Sequence, residues 1–589
     1  MKKVKYFFRA VALSVKIKSP VSFIISIAGF AAAFLPMLIS LRLQVFTDDV
    51  QSLFNNHELR SGVIISFVIL ALLYITQTVF SLIEKYVAAQ DTARIRRYLK
   101  EQILNLLTSV PYKYIENHGA FREKVDFIKT CAGEKTAGSI SLMFSWVAGI
   151  VSFISITFIL STVSLWIVAI LIITCVPAVI LSNLQKEETY RSRTKWMKEG
   201  RLVIHYSDLS RRNAPMKEIR FFGLFQYIKD KWRGLSKDWI SKKQRVTRKH
   251  VIFNGAADLL RNGVYLIVII ITAWEIYNDP AKGLGTFMLV FSAAGQLQSI
   301  TTTLLINAIS IFSDVKYMED FFNLLETEKE AKPEGALFDN VVIEFDDVDF
   351  SYPNTDFLAL DKLNVKINQG EKIAIVGANG SGKSTFVNLF CGLYSPQNGT
   401  AKINGEIITE NLWKTRRSMS VIFQSFCQYQ DTLRNNITIS DPTRSNEDGD
   451  ILALAKQTGA DEVIKEQGNA LDEEIGLFSE SGNNLSGGQW QKVAITRALF
   501  RKNARVYILD EPTAALDPIA EANIYRNFAS LTGDKTTILI SHRLGVTSIV
   551  DRILVFDKGQ IAEDGNHAEL MAKNGLYAMM YKAQAKWYQ

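Results

Sequence analysis

A chain of 589 residues, 48% hydrophobic and 21% charged, is too long for one domain and too apolar for a disordered one. The net charge of +8 points to nucleic acid or to an anionic surface. Its placement favours the surface: Lys and Arg crowd the N-terminus and residues 84–136 and 182–250, and nearly vanish from 46–59 and 278–284, the positive-inside bias of a membrane protein.

The first 19 residues mix basic and apolar types, with Phe7, Val11, Val15 and Lys18 at helical spacing. That pattern predicts an amphipathic helix lying on the inner membrane surface. A cleaved signal peptide ending at Ala31-Ala32-Ala33 is the alternative. Parity argues against it, because five spans would leave the new N-terminus outside.

Six apolar stretches have the length a bilayer crossing needs, at 20–41, 62–83, 138–160, 164–181, 261–277 and 284–312. Arg42 closes the first. A cation at mid-membrane costs about 2.5–3.5 kcal/mol, so Arg42 is expected at the outer interface. The fifth opens with Asp258 and Arg261, one helical turn apart, expected as an ion pair just below the inner surface.

Long charged segments after the second and fourth spans predict two intracellular hairpins, turning at 109–125 and 214–228. Ile219, Phe222 and Phe225 recur at helical spacing in the second tip, which suits docking on another domain or burial within the hairpin. In the sixth span Gln296, Ser299, Thr303 and Asn307 share one helical face. That face lines a pathway or bonds a neighbouring helix. A polar linker, 326–340, separates the membrane part, 20–325, from a soluble α/β part, 341–589. The cysteines Cys131, Cys175, Cys391 and Cys427 are scattered, with no disulfide or zinc pattern.

The soluble part carries Gly377-Ala378-Asn379-Gly380-Ser381-Gly382-Lys383-Ser384-Thr385, a match to GxxxxGK[ST] between a predicted strand (372–376) and a predicted helix (385–390). The glycines let successive N–H groups turn inward, and the helix adds its positive end, making a cradle for phosphates. Lys383 reaches the β- and γ-phosphates and the Ser384 hydroxyl ligates Mg2+. A strand at 505–510 ends in Asp510 and Glu511; Asp510 would hold Mg2+ through water and Glu511 would polarise the attacking water. A further strand, 537–541, delivers His542 to the same edge as a γ-phosphate contact. Gln424, following a strand at 420–423, completes the shell around metal and water. Tyr352 stacks on adenine or simply packs.

At Leu485-Ser486-Gly487-Gly488-Gln489 the chain resembles an ABC transporter, specifically a bacterial half-transporter of the exporter type, over essentially its full length. The joint order of the phosphate loop, Gln424, the 485–489 signature, the strand at 507–511, the loop Ala515-Leu516-Asp517 and His542 carries the resemblance. It implies a membrane α-helical bundle of six transmembrane helices followed by an α/β P-loop NTPase domain of ABC type. It also implies ATP and Mg2+ as ligands, with Asp517 at the nucleotide site, and a multi-pass protein of the bacterial cytoplasmic membrane with its nucleotide-binding domain in the cytoplasm. The tips 111–122 and 214–225 look like coupling helices. One departure stands before the signature, where a Glu-Arg-Gly-like stretch is usual and this chain reads Ser479-Glu480-Ser481-Gly482-Asn483-Asn484.

A second glycine-rich helix start is redundant for one nucleotide in one chain. It makes sense if Ser486, Gly487 and Gly488, capping a helix from about Trp490, donate to the γ-phosphate of ATP on a partner chain. Every catalytic motif is present, so a homodimer and a heterodimer with a second half-transporter are both open. The implied mechanism is alternating access, with ATP-driven closure biasing a bistable membrane part.

The cargo is expected to be a peptide or another amphipathic compound. The tip sequence KEIRFFGL is similar to bacteriocin-type exporters, and the missing peptidase domain argues against self-processing. A lipid or multidrug exporter, and a non-transporting sensor or channel, are the alternatives. Six spans argue against a DNA-handling ATPase, and no nucleic-acid partner is expected; fusion of the two parts argues against an importer.

Overall fold

The computed structural model describes residues 2–56, 61–116, 121, 124–126, 128–129, 133–278, 283–330, 337–353, 355–466, 468, 470–476, 484–511, 525–528, 530–541, 547 and 549–586. They fall into two compact units, Met1–Leu106 with Glu123–Thr327, and Leu107–Arg122 with Glu328–Gln589.

The first unit is helical. Lys2–Ile17 forms the expected N-terminal helix, and Ser19 caps the next one, its hydroxyl accepting from the Ser22 N–H at 3.1 Å with Pro20 in the first turn. Among the described residues six helices are long and apolar enough to cross a membrane: Pro20–Phe54, Gly62–Leu107, Ser145–Val163, Leu165–Ser192, Phe225–Asn278 and Gly283–Leu325. The first is interrupted at Ala33, ahead of Pro36, and resumes as Leu35–Asn56. The helix thus runs on past Arg42, so Arg42 does not mark its end. At 54 residues the fifth is about 80 Å long, against a hydrocarbon core of about 30 Å, so most of it must project beyond the bilayer.

The sixth helix is the most buried of these six. Its Val290, Ala293, Ala294 and Leu297 pack with Ile156, Leu160, Leu171 and Val268, small side chains letting helix backbones approach. Near its start the Gly285 N–H donates to Asp48 at 2.9 Å, and a Cβ there would overlap that carboxylate. On the opposite side Lys18 pairs with Asp91 at 3.8 Å, both nearly fully buried, and Ser22 donates to Asp91 at 2.7 Å.

Two expectations resolve. Arg261 and Asp258 do pair, at 3.0 Å. In the second hairpin tip the expected common face does not form: the helix Asn213–Phe221 ends before Phe222, Gly223 turns the chain at φ 64° and Phe225 opens the next helix, leaving Ile219 buried and Phe222 and Phe225 exposed.

The described residues of the second unit hold three sheets, the smallest a two-stranded antiparallel pair of Asp431–Thr432 with Glu474–Ile475. A six-stranded sheet runs Gln560–Gly565, Arg552–Asp557, Lys372–Gly377, Thr536–Ile540, Val506–Asp510, Met419–Ile422, parallel except for the first strand. A four-stranded antiparallel sheet runs Leu360–Ile367, Ile343–Phe350, Asn398–Ile403, Glu406–Ile407. Between them lies the helix Lys383–Phe390, whose Phe386 meets Phe345 at 4.9 Å and Phe556 at 5.9 Å. A separate helical core around Ile437, Val463, Leu485 and Trp490 carries the helix Gly487–Phe500.

Residues 107–122 belong to this second unit. Their short helix Tyr112–Glu116 sets Tyr112 against its hydrophobic core, and the Ser109 carbonyl accepts from the Glu330 N–H at 2.7 Å. Glu330 in turn receives both Arg416 guanidinium nitrogens, at 2.7 and 3.1 Å.

Candidate nucleotide site

Parallel strands present their C-terminal ends at one sheet edge, where ligands of open α/β sheets bind. Gly377, Ile422 and Asp510 each close such a strand here. The chemistry-bearing residues follow directly in sequence: the phosphate loop after Gly377, Gln424 after Ile422, Glu511 after Asp510.

They converge on a cavity of about 380 Å3 lined by Asn379–Thr385, Gln424, Glu511, Tyr352, Phe357 and Ala359. Its floor is the loop itself. Gly377 and Gly382 have φ of 154° and 106°, and a Cβ on Gly377 would stand 2.3 Å from the Phe556 carbonyl, so these positions require glycine. The helix begins at Lys383, two residues earlier than expected, with Gly382 as its cap. Ser381 Oγ is buried with no partner among the described residues, an orphan in the cradle that a phosphate oxygen would satisfy. Lys383 Nζ donates to the carbonyls of Gly377 and Ala378, at 2.9 and 3.0 Å, and burial pushes its pKa down while Glu511 and Asp510 hold it up.

Asp510 is buried, and its carboxyl is pushed up to about 6, first by burial and next by the charge of Glu511, with the Ser384 hydroxyl opposing both. Its Oδ1 has no hydrogen-bond partner among the described residues. An unpartnered buried carboxylate oxygen, on a carboxyl that the Ser384 hydroxyl also bonds, suits a hard divalent cation that keeps several waters, so the residues fit Mg2+.

Glu511 accepts from Gln424 Nε2 at 3.0 Å. Its φ is +46°, a left-handed conformation costly for a non-glycine residue and held by the bond from its N–H to the Ile540 carbonyl at 3.0 Å. The turn lifts the carboxylate from the strand end into the cavity. Tyr352 both packs and lines the cavity: Asn388 donates to its hydroxyl at 3.1 Å, and its ring meets Phe350 at 5.1 Å.

Ser486, Gly487, Gly488 and Gln489 line no part of this cavity. The signature helix starts at Gly487 rather than near Trp490, because Ser486 and Gln489 form a capping box: the Gln489 N–H donates to Ser486 Oγ, and the Ser486 N–H to Gln489 Oε1 at 2.8 Å. That box offsets the poor helix propensity of two glycines. His542, Asp517 and Glu480 lie outside the described residues. Reading the sequence missed Phe357, an exposed aromatic in a loop, and Ala359. Aromatic character near Tyr352 was the only signal for the first, and none existed for the second.

Residues 360–514 match the family model described as ABC transporter. The chain is 33% identical to the subtilin transport ATP-binding protein SpaT of Bacillus subtilis, over 66% of this chain and 64% of that one. It is 30% identical to the ATP-dependent lipid A-core flippase of Pseudomonas fluorescens, over 95% of this chain and 93% of that one. A solved bacterial Atm1-family ABC exporter with ATP bound superposes with a TM-score of 0.83 at 23% identity, covering 96% of this chain and 99% of that one.

Proposed function

The chain belongs to the ABC transporter family, as a half-transporter of the exporter type, and from that premise we propose that it exports an amphipathic peptide across a bacterial cytoplasmic membrane. It binds and hydrolyses ATP to drive that export. The observation that carries the reading is the meeting of the phosphate loop, Gln424, Glu511 and Tyr352 in one cavity.

The roles follow from position. Asn379–Thr385 and Lys383 hold the phosphates, and Tyr352 with Phe357 flanks the base. Glu511 polarises the attacking water, with Gln424 keeping its carboxylate in place. Mg2+, bound through Ser384, Gln424 and Asp510, would neutralise charge building on the phosphates. His542 and Asp517 complete the set. Ser486, Gly487 and Gly488 serve the ATP of a partner chain, whether a second copy or another half-transporter. Residues 20–325 form the pathway, with 1–19 on the membrane surface, and 326–340 link it to the ATP-driven domain at 341–589.

Identity to the subtilin transporter supports a peptide cargo. Lipid is the second reading, supported by the flippase relative that aligns along 95% of the chain. Inside-out vesicles test both. ATP-dependent accumulation of a labelled amphipathic peptide is expected with the wild type and not with Glu511→Gln. Lipid translocation without peptide uptake overturns the peptide in favour of lipid. Neither, with ATPase intact, overturns export.

A further inference from the structure

Two hydroxyls on the sixth-span helix depart from their neighbours. A helical Ser or Thr commonly bonds the carbonyl four residues back, and Thr301, Thr302 and Ser310 do so at 2.6–2.7 Å. Ser299 and Thr303, one turn apart, are exposed and have no hydrogen-bond partner among the described residues. Both open onto a cavity of about 370 Å3 inside the membrane unit, shared with Arg261, Asn262 and Tyr265 of the fifth-span helix. Bare polar groups at membrane depth are costly, so such a surface meets water, a polar ligand or a further helix, and the open cavity beside it favours the first two.

Arg261 is positioned for a ligand. Its guanidinium donates to Thr302 at 3.2 Å and pairs with Asp258 at 3.0 Å, which leaves some of its five N–H donors free. The Gln298 amide donates to the Arg261 carbonyl at 2.9 Å, locking the two helices in register. The Tyr265 hydroxyl is committed to the Phe291 carbonyl at 2.9 Å, so that residue contributes a wall. Arg261 lies about 25 Å along the helix from its outer end at Asn278, near the inner edge of a hydrocarbon core about 30 Å thick.

We propose that this cavity is a cargo subsite for a single carboxylate, such as a peptide C-terminus, with Arg261 as its charge partner and Ser299 and Thr303 as neutral donors. The inference rests on the peptide-export reading. The exposed Asp258 offsets part of the Arg261 charge, so a monoanion leaves less charge unbalanced in the cavity than a multiply charged phosphate does. The 370 Å3 volume holds the end of a cargo rather than the whole of it.

The test uses the full chain in lipid nanodiscs and proteoliposomes with a cationic amphipathic peptide bearing one free C-terminal carboxylate, and the same peptide amidated. The wild type is expected to bind the free acid about tenfold tighter, which is about 1.4 kcal/mol. Arg261→Gln should bring the ratio to about one, and Arg261→Lys should keep part of it. Should Arg261→Gln fail to fold, the double variant Ser299→Ala/Thr303→Val should cut the ratio to about threefold. A wild-type ratio of one, or a ratio that survives both sets of substitutions while the peptides are still taken up, overturns the subsite and leaves peptide export standing. Translocation of a phospholipid with uptake of neither peptide overturns the peptide reading, and this subsite with it.

Discussion

The ring of Tyr112 meets that of Tyr394 edge-on, with centroids 5.9 Å apart. Tyr394 stands 5.5 Å from Tyr352, whose hydroxyl is bonded by Asn388 on the phosphate-loop helix. Tyr394 also donates its hydroxyl to Glu116, beside Tyr112 in the hairpin tip. A continuous set of packed rings thus joins the tip to the nucleotide cavity, and whether a change at one is felt at the other is a matter for mutation.

Tyr394→Ala removes a buried ring and should lower unfolding stability by about 3–5 kcal/mol, read by thermal or urea denaturation. Tyr394→Phe keeps the rings and loses only the bond to Glu116, costing about 1 kcal/mol. If the tip transmits through this contact, Tyr394→Phe should also show weaker stimulation of ATPase by cargo. Stimulation equal to the wild type would show that the hydroxyl plays no part.

Glu511→Gln should keep ATP binding and lose turnover by at least about 100-fold, the usual scale for a positioned base. Equilibrium binding of labelled ATP and steady-state phosphate release separate the two. Gln424→Ala should fall less, by about tenfold, since it removes the group that orients the carboxylate and leaves the carboxylate itself.

Asp510 sets a pH dependence. Its carboxyl is raised from 3.8 to about 6, so the folded state holds the proton more tightly than the unfolded chain. Its contribution is present below about 4 and is lost as pH rises through about 6, roughly 3 kcal/mol for the nucleotide-free protein. Mg2+ needs the ionised carboxylate, so protection by Mg2+ with ATP should grow over the same interval. Thermal shifts at pH 5 and pH 7.5 should show both trends, and Asp510→Asn should flatten them.

Ser486 lies outside the cavity that holds the phosphate loop, so Ser486→Arg should bind ATP normally and lose turnover. Lys383→Ala should lose binding. In a mixed dimer of the two variants, one composite site has both defects and the other has neither. Co-assembly should therefore restore roughly half of the activity per mixed dimer, under independent sites. Failure of the mixture to exceed either variant alone would refute composite sites.

Local pattern determined much of this protein. Hydropathy over about 20 residues located six spans, and contiguous motifs identified the phosphate loop, the acidic strand end and the signature, because each is built from neighbours in the chain. The tertiary structure decided the relationships between distant residues: Gln424 on Glu511, Arg261 beside Ser299 and Thr303, and Tyr112 within the second unit rather than the first. Periodicity put Ile219, Phe222 and Phe225 on one helical face, but the left-handed turn at Gly223 ends that helix at Phe221, and only Ile219 is buried. The reason is physical. Propensity, capping and hydropathy act within a few turns of chain, whereas which side chains meet across a sheet edge or between two helices depends on how whole elements pack.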